Sequence, residues 1–149
     1  MPLYFAYGSN ISTEAMARRC PRSTTLGLAR LVRHRLAVMR EGWLTVARDP
    51  RSAVHGVLWD LALTDVAALD RYEGLPQGLY AKLTQPVVGE HAPRQPIVYV
   101  GGNSGPGAVR KDLVADIVKA ARSWPLPVEA IEALERIAAA SPAAVGGRL

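Results

Sequence analysis

Residues 3–11 read LYFAYGSNI, and this stretch decides which fold we expect. The run at 3–7 is apolar and aromatic and stops at Gly8, a pattern typical of a buried strand that enters a turn. Residues 12–19 have a helical composition, and Ser12 is a favourable N-cap for that helix. The sequence therefore predicts a strand, a tight turn and a short helix in succession.

The rest of the chain adds further strands and then helices. From Val32 to Met39 the residues alternate, with Val32, His34, Leu36 and Val38 at even positions and Arg33 and Arg35 at odd ones. This period of two predicts a strand whose odd-numbered face is exposed to solvent and whose even-numbered side chains face the core. Further strands are predicted at 54–61, 79–88 and 97–100. Helices are predicted at 64–72, with Thr64 as the N-cap, at 109–121 and at 128–138. Runs of strands followed by runs of helices favour the α+β class, with a small sheet or barrel and flanking helices.

Length and composition indicate one ordinary globular domain covering residues 1–149. The chain has 149 residues, of which 49% are hydrophobic and 21% are charged, values typical of a folded protein. Its single cysteine, Cys20, excludes an internal disulfide and any multi-cysteine zinc site. No apolar run reaches the roughly 20 residues that a membrane helix needs. We therefore expect a soluble, cytoplasmic protein.

The positive charge gives little support for a nucleic-acid partner. The formal net charge is +5, and 15 of the 18 basic residues are arginine, which is also what coding bias in a GC-rich genome would produce. The basic residues are spread along the chain, and the densest group is Arg30, Arg33 and Arg35. Nucleic-acid binders usually add a concentrated basic face with exposed aromatic residues. Nucleic-acid binding is therefore the least favoured class of function.

The first candidate site is the sequence Tyr7-Gly8-Ser9-Asn10, directly after the first predicted strand. Gly8 permits a positive φ or a close approach of the backbone to a ligand. Successive backbone N–H groups in such a turn form a concave site for a carboxylate or an oxyanion. The alternative is an ordinary turn between a strand and a helix, with nothing bound to it.

The second candidate is Glu73, in the sequence Leu69-Asp70-Arg71-Tyr72-Glu73-Gly74. Glu73 falls in the last turn of a predicted helix, where the helix dipole is unfavourable to a carboxylate. Asp70 lies three residues earlier on the same helical face, so repulsion between the two carboxylates is expected as well. Both effects would raise the pKa of Glu73 toward the range of a general base or acid. The alternative is a solvated Glu73 that pairs with a neighbouring arginine.

Other polar residues give weaker signals. The three histidines, His34, His55 and His91, do not have the spacing of metal ligands, so no metal site is predicted. The glycine-rich segment at 101–105 lacks the lysine and the serine or threonine of a phosphate-binding loop.

Taken in order, these segments resemble the γ-glutamylcyclotransferase-like (AIG2-like) family. LYFAYGSNI at 3–11 resembles the opening strand and substrate loop of that family, and LDRYEGLPQGLYAK at 69–82 resembles the segment that carries its catalytic glutamate. The sequences at 28–38, 54–61 and 126–137 are similar to the second strand, to a later strand and to the final helix. The resemblance covers nearly the whole chain.

The resemblance implies a small mixed β-barrel of five or six strands with flanking helices. It also implies an enzyme that converts a γ-glutamyl amine or peptide into 5-oxoproline and a free amine, without a metal or a cofactor. Glu73 would be the catalytic base and acid. The substrate-binding residues implied are Tyr4, Phe5, Ala6, Tyr7, Gly8, Ser9, Asn10 and Tyr80.

The resemblance does not identify the amine that the reaction would release. The family's glutathione-pathway enzymes have a tyrosine near the start of the penultimate helix, and the stretch here contains none; Leu113 is the matching position. Two alternatives to a cyclotransferase remain at this stage. One is a non-catalytic or differently reacting barrel that binds a small molecule, and the other is a nucleic-acid-binding barrel.

Overall fold

The computed structural model describes residues 2–141, and within this range the chain forms seven strands and four α-helices. In chain order they are β1 (Leu3–Ala6), α1 (Thr13–Arg19), β2 (Thr24–Val38), β3 (Leu44–Asp60), α2 (Leu63–Tyr72), β4 (Tyr80–Thr84), β5 (Val87–Gly89), β6 (Pro93–Arg94), β7 (Ile97–Gly101), α3 (Lys111–Ser123) and α4 (Val128–Ala140). The domain predicted for residues 1–149 also includes Met1 and residues 142–149, which lie outside the described range.

The strands form one mixed sheet in the order β4-β7-β1-β3-β2-β5-β6. The pairing of β1 with β7 is parallel, and the other pairings are antiparallel. The sheet curves into a half-barrel flanked by helices, which confirms the expected α+β fold. Residues 2–141 contain seven strands rather than five or six, because the predicted segment 79–88 divides into β4 and β5 and because the two-residue β6 pairs with β5.

The central hairpin of β2 and β3 is much longer than the alternating pattern predicts. The two strands are 15 and 17 residues long and pair over most of their length. A β-bulge interrupts the pairing between Val32 and His34, where Arg33 has a φ of 62°. A bulge adds one residue to one strand and so changes which side chains face inward. Val32 is consequently 37% exposed, and the prediction that it faces the core was wrong.

The starts of α1 and α2 depend on different hydrogen bonds, one local and one to a residue distant in sequence. Ser12 caps α1 as predicted, since its side chain accepts a hydrogen bond from the backbone N–H of Ala15. The N-cap of α2 is Ala62, not Thr64. The backbone N–H of Ala62 instead donates to Ser23 Oγ, 3.0 Å away, so this helix start depends on a residue distant in sequence. No helix within residues 2–141 is long and apolar enough to cross a membrane.

The core lies around β1, which is buried between β3 and β7. The side chains of Phe5, Val57 and Val98 are completely buried on these three strands, and Ile117 and Ala121 of α3 join the same core. The C-terminal end of β1 therefore lies beside α2, β4 and α3. This arrangement positions the candidate site.

Candidate functional site

A cavity of about 170 Å³ lies where β1 ends, and it is open to solvent. Its walls come from the turn after β1, the end of α2, the start of β4, the turn between β2 and β3, and α3. The lining residues are Tyr4, Tyr7, Gly8, Ser9, Asn10, Trp43, Leu44, Tyr72, Glu73, Leu79, Tyr80, Tyr99, Leu113 and Ile117. Segments far apart in sequence, among them the two candidate motifs, therefore meet at one site.

Most of the residues predicted from the sequence line this cavity, and two do not. Those that line it are Tyr4, Tyr7, Gly8, Ser9, Asn10, Glu73 and Tyr80. Phe5 and Ala6 do not contribute to its wall and are fully buried in the sheet. Both pack closely against Gly56 of β3, where a Cβ atom would clash with the Ala6 carbonyl oxygen and the Phe5 ring. These two residues hold β1 against β3 and do not face the cavity.

The turn after β1 presents open backbone donors. Its hydrogen bonds run from Ile11 N to Gly8 O (3.1 Å) and from Ser12 N to Ser9 O (3.2 Å). Within residues 2–141, the backbone N–H groups of Gly8, Ser9 and Asn10 have no hydrogen-bond acceptor. Unpaired donors of this kind are available to a carboxylate or a carbonyl oxygen.

Gly8 leaves space beside these donors, although not through the conformation expected of it. Its φ is −120°, so it does not use the left-handed region that only glycine enters easily. A Cβ atom at this position would meet no heavy atom within 4 Å. The glycine therefore lies against open space, which permits a ligand to approach its backbone closely.

Asn10 fixes the turn from within the core. Its side chain is 2% exposed, and its Nδ2 donates to the Tyr4 hydroxyl at 3.1 Å. Its Oδ1 accepts a hydrogen bond from Arg19, and its carbonyl oxygen accepts one from Trp59 Nε1 at 3.1 Å. A buried side-chain amide that is hydrogen-bonded at both its nitrogen and its oxygen is held in a single geometry. Asn10 therefore acts as a rigid support for the open N–H groups beside it.

Glu73 lies at the end of α2 and faces the cavity. Its backbone N–H still bonds to Leu69 O at 2.9 Å, and the chain then turns through Gly74, whose φ is +70°. Burial raises the pKa of Glu73 from 4.5 to about 7, and the nearby charge of Arg19 partly opposes that rise. Among the described residues, no basic nitrogen lies within 4.0 Å of its carboxyl group. Glu73 is thus partly buried and has no salt bridge within these residues, whereas the alternative left open by the sequence was a solvated glutamate paired with an arginine.

The raised pKa of Glu73 has a different cause from the one expected. Asp70 was expected to repel it, but the Asp70 carboxylate bonds to Lys82 Nζ at 2.8 Å and to the Tyr99 hydroxyl at 2.6 Å. Desolvation, and not Asp70, accounts for the rise. The helix position matters because it carries Glu73 into the cavity.

Tyrosines form much of the remaining polar surface of the cavity. Burial raises the pKa of Tyr4, Tyr7, Tyr80 and Tyr99 above the ordinary value, so all four stay neutral near pH 7. The Tyr7 hydroxyl donates to Tyr99 O at 2.6 Å, and the Tyr80 hydroxyl donates to Leu44 O. These bonds fix the rings in place, and the cavity wall is consequently rigid and uncharged apart from Glu73.

Sequence reasoning missed several lining residues. They are Trp43, Leu44, Tyr72, Leu79, Tyr99 and Ile117, whereas Leu113 is placed in the wall as the family resemblance suggested. Trp43 and Tyr72 are 43% and 45% exposed, so they form the mouth of the cavity. An aromatic residue in the polar segment Arg40-Glu41-Gly42-Trp43 was a usable signal, because a turn does not need one.

His34 and Cys20 are both buried, in surroundings that indicate structural roles. His34 is buried, and its Nδ1 donates to Val32 O at 2.9 Å beside the β-bulge. Burial raises the pKa of the Cys20 thiol to about 11, which opposes a role as a nucleophile. Between residues 2 and 141, no group of three histidine, cysteine, aspartate or glutamate side chains could hold a metal ion.

Comparison with known proteins gives a consistent result. Residues 4–124 match the family model described as gamma-glutamyl cyclotransferase, AIG2-like. The chain is 35% identical over 88 residues to the gamma-glutamylcyclotransferase of Mus musculus and 33% identical over 91 residues to that of Bos taurus. These matches cover 52% and 54% of this chain. They cover 47% and 48% of the two relatives, so the chain spans about half the length of the curated relatives it matches.

Solved structures resemble the chain over a larger share. A structure named gamma-glutamyl cyclotransferase is 26% identical and superposes with a TM-score of 0.82, covering 90% of this chain and 86% of that one. The crystal structure of a Homo sapiens protein described as uncharacterized is 27% identical, with a TM-score of 0.81 and coverage of 89% and 85%. The similarity therefore extends through the strands and helices that build the cavity.

Proposed function

Since the chain belongs to the gamma-glutamyl cyclotransferase, AIG2-like family, we propose that it converts a γ-glutamyl amine or peptide into 5-oxoproline and a free amine. The observation that carries this proposal is the half-buried carboxyl group of Glu73, which faces the cavity beside the open N–H groups of Gly8, Ser9 and Asn10. A proton acceptor and a set of oxyanion donors on one small cavity are what this ring closure requires.

The reaction is an internal aminolysis in which Glu73 transfers protons from the α-nitrogen to the leaving nitrogen. The α-amino group of the substrate is the nucleophile, and it is protonated at neutral pH because its ordinary pKa is about 8. Glu73, with its pKa raised to about 7, accepts that proton. The α-nitrogen then bonds to the γ-carbonyl carbon, and the bond from that carbon to the leaving nitrogen breaks. The α-nitrogen loses two protons in all, and Glu73 passes them one after the other to the leaving nitrogen. The amine therefore leaves in its protonated form, Glu73 is regenerated and no water is consumed.

The turn after β1 would hold the glutamyl end of the substrate. Backbone N–H groups between Tyr7 and Asn10 would bind its carboxylate or its γ-carbonyl oxygen, and Tyr80 would form part of the wall. A cavity of about 170 Å³ is close to the roughly 150 Å³ that accommodates a benzene molecule. It therefore suits the glutamyl unit alone, with the leaving amine directed toward the mouth at Trp43 and Tyr72.

The test is a panel of γ-glutamyl compounds incubated with the protein in ¹⁸O-labelled water and followed by mass spectrometry. The panel contains γ-glutamyl amino acids, a γ-glutamyl polyamine and γ-glutamyl-ε-lysine. We expect at least one compound to give 5-oxoproline without ¹⁸O, together with one equivalent of amine. Glutamate carrying ¹⁸O would instead indicate hydrolysis, and the absence of either product across the panel would refute the proposal.

The pH dependence follows from the state in which Glu73 works. Only the deprotonated carboxylate can accept the proton of the α-amino group, so kcat/KM should rise as the pH increases through about 7. If kcat/KM instead rises with a midpoint near pH 4.5 (the acid limb of the profile), burial does not raise the pKa of the catalytic group.

A further inference from the structure

Arg19, the last residue of α1, joins the two halves of the cavity. Its Nη1 donates to Ser9 Oγ at 3.3 Å and to Asn10 Oδ1. Its guanidinium also lies over the ring of Tyr72, 3.9 Å from the ring centroid. Tyr72 immediately precedes Glu73, and its hydroxyl lies 2.9 Å from the same Ser9 Oγ. One side chain thus bridges the turn after β1 and the end of α2.

The far end of α2 is also held by hydrogen bonds, to residues that come just after α1. Asp65, in the first turn of α2, is 5% exposed, and its Oδ2 accepts hydrogen bonds from Arg22 N and Ser23 Oγ, both at 2.9 Å. These two donors directly follow α1 in the chain. The segment around α1 is therefore held to α2 at Asp65 and again at Tyr72, and the second contact borders the cavity.

The charge of Arg19 is not balanced by a salt bridge. Within the described part of the chain, no carboxylate oxygen lies within 4.0 Å of its guanidinium, and its partners are a hydroxyl, an amide oxygen and a ring. The groups that act electrostatically with Glu73 are Arg19 from α1, Tyr4 from β1, Tyr80 from β4 and Tyr99 from β7, with Tyr7 beside the turn. Arg19 is the one cation of this set.

We propose that Arg19 is a positioning residue: it clamps the Ser9–Asn10 turn to the end of α2 and so fixes the donors of the turn relative to the Glu73 carboxyl group. This inference rests on the proposed function. A guanidinium suits the task because it is planar and forked, so it can stack on a ring while donating to two oxygens. A lysine would supply the charge without that geometry.

The experiment compares Arg19→Gln and Arg19→Lys with Arg18→Gln, an equal loss of charge at the neighbouring exposed residue of the same helix. The first measurement is the titration of the Glu73 carboxyl group by ¹³C NMR, with the signal assigned by its loss in Glu73→Gln. The second is the dependence of kcat/KM on pH for a compound that the parent protein turns over. Each variant is first checked for a wild-type unfolding transition.

The clamp predicts a different result for each variant. Arg19→Gln should raise the pKa of Glu73, because the nearby positive charge is lost. The increase of kcat/KM with pH should then occur at higher pH, and the loss of kcat/KM should be about tenfold greater at pH 6.5 than at pH 9. Arg19→Lys should leave the limb in place and lower kcat/KM by about tenfold at every pH, because the charge remains and the fork is lost. Arg18→Gln should match the parent protein.

Two results would overturn the proposal: full activity in Arg19→Lys, or a Glu73 titration in Arg19→Gln that matches that of Arg18→Gln. If Arg19→Gln does not fold, Arg19→Lys alone decides. The NMR titration needs no substrate. A parent protein that is inactive on the whole panel would therefore refute the proposed function, and the titration would still test Arg19.

Discussion

The pH dependence of stability in Glu73→Gln tests the buried carboxyl group without any substrate. The pKa of Glu73 rises from 4.5 to about 7 because of burial. Between those values the folded state binds a proton that the unfolded state has lost, so the stability of the parent protein falls as the pH rises through this window. A tenfold difference in proton affinity between the folded and unfolded states corresponds to about 1.4 kcal/mol, so the stability lost by pH 8 amounts to about 3 kcal/mol.

Glutamine is nearly isosteric with glutamate and does not titrate, so the variant should escape this loss. We expect the free energy of unfolding of Glu73→Gln, relative to the parent protein, to increase by about 3 kcal/mol between pH 4.5 and pH 8. Urea denaturation at the two pH values measures it. Glu132→Gln, at an exposed position of α4, is the matched control and should show no such increase. The same difference at both pH values for Glu73→Gln would mean that its carboxyl group is well solvated.

Two further substitutions test the surroundings of the cavity. Gly8→Ala should leave the melting temperature unchanged, because its Cβ meets no atom within 4 Å, and should weaken the binding of γ-glutamyl ligands measured by calorimetry. Unchanged binding would place the ligand elsewhere. Asp70→Asn should destabilise the protein by about 1 kcal/mol through its bonds to Lys82 and Tyr99, while the acid limb of the pH–rate profile stays in place. A shift of this acid limb in Asp70→Asn would mean that Asp70 contributes to the raised pKa of Glu73.

The fold could be predicted from the sequence where local signals decide the structure. The strand before Gly8 and the cap at Ser12 depend on neighbouring residues, and both lie where they were expected. The start of α2 could not be predicted, because the N–H of Ala62 is satisfied by Ser23, which is 39 residues away. The inward face of β2 was also wrong at Val32, because a bulge at Arg33 changes the alternation and leaves no clear mark in the sequence.

The candidate site could be predicted only in part, for a similar reason. The turn at 7–10 and Glu73 stand out as motifs, and the fold brings both to one cavity. Phe5 belongs to the same motif but faces the core, because it packs against Gly56 of a distant strand. Desolvation of Glu73 arises from the assembled walls and not from its helix. The motif therefore identifies the carboxyl group, whereas the cause of its raised pKa requires the tertiary structure.

The most direct test of the account measures turnover and binding together in Glu73→Gln. The substrate is a γ-glutamyl amine that the parent protein cyclises, and the binding probe is the same compound without its α-amino group, which cannot close the ring. We expect the probe to bind within a few-fold of the parent affinity, while formation of 5-oxoproline falls by about 10²–10⁴-fold, the usual contribution of a positioned acid and base. Formation of 5-oxoproline at the parent rate in Glu73→Gln would contradict the assignment of Glu73 as the group that moves the proton.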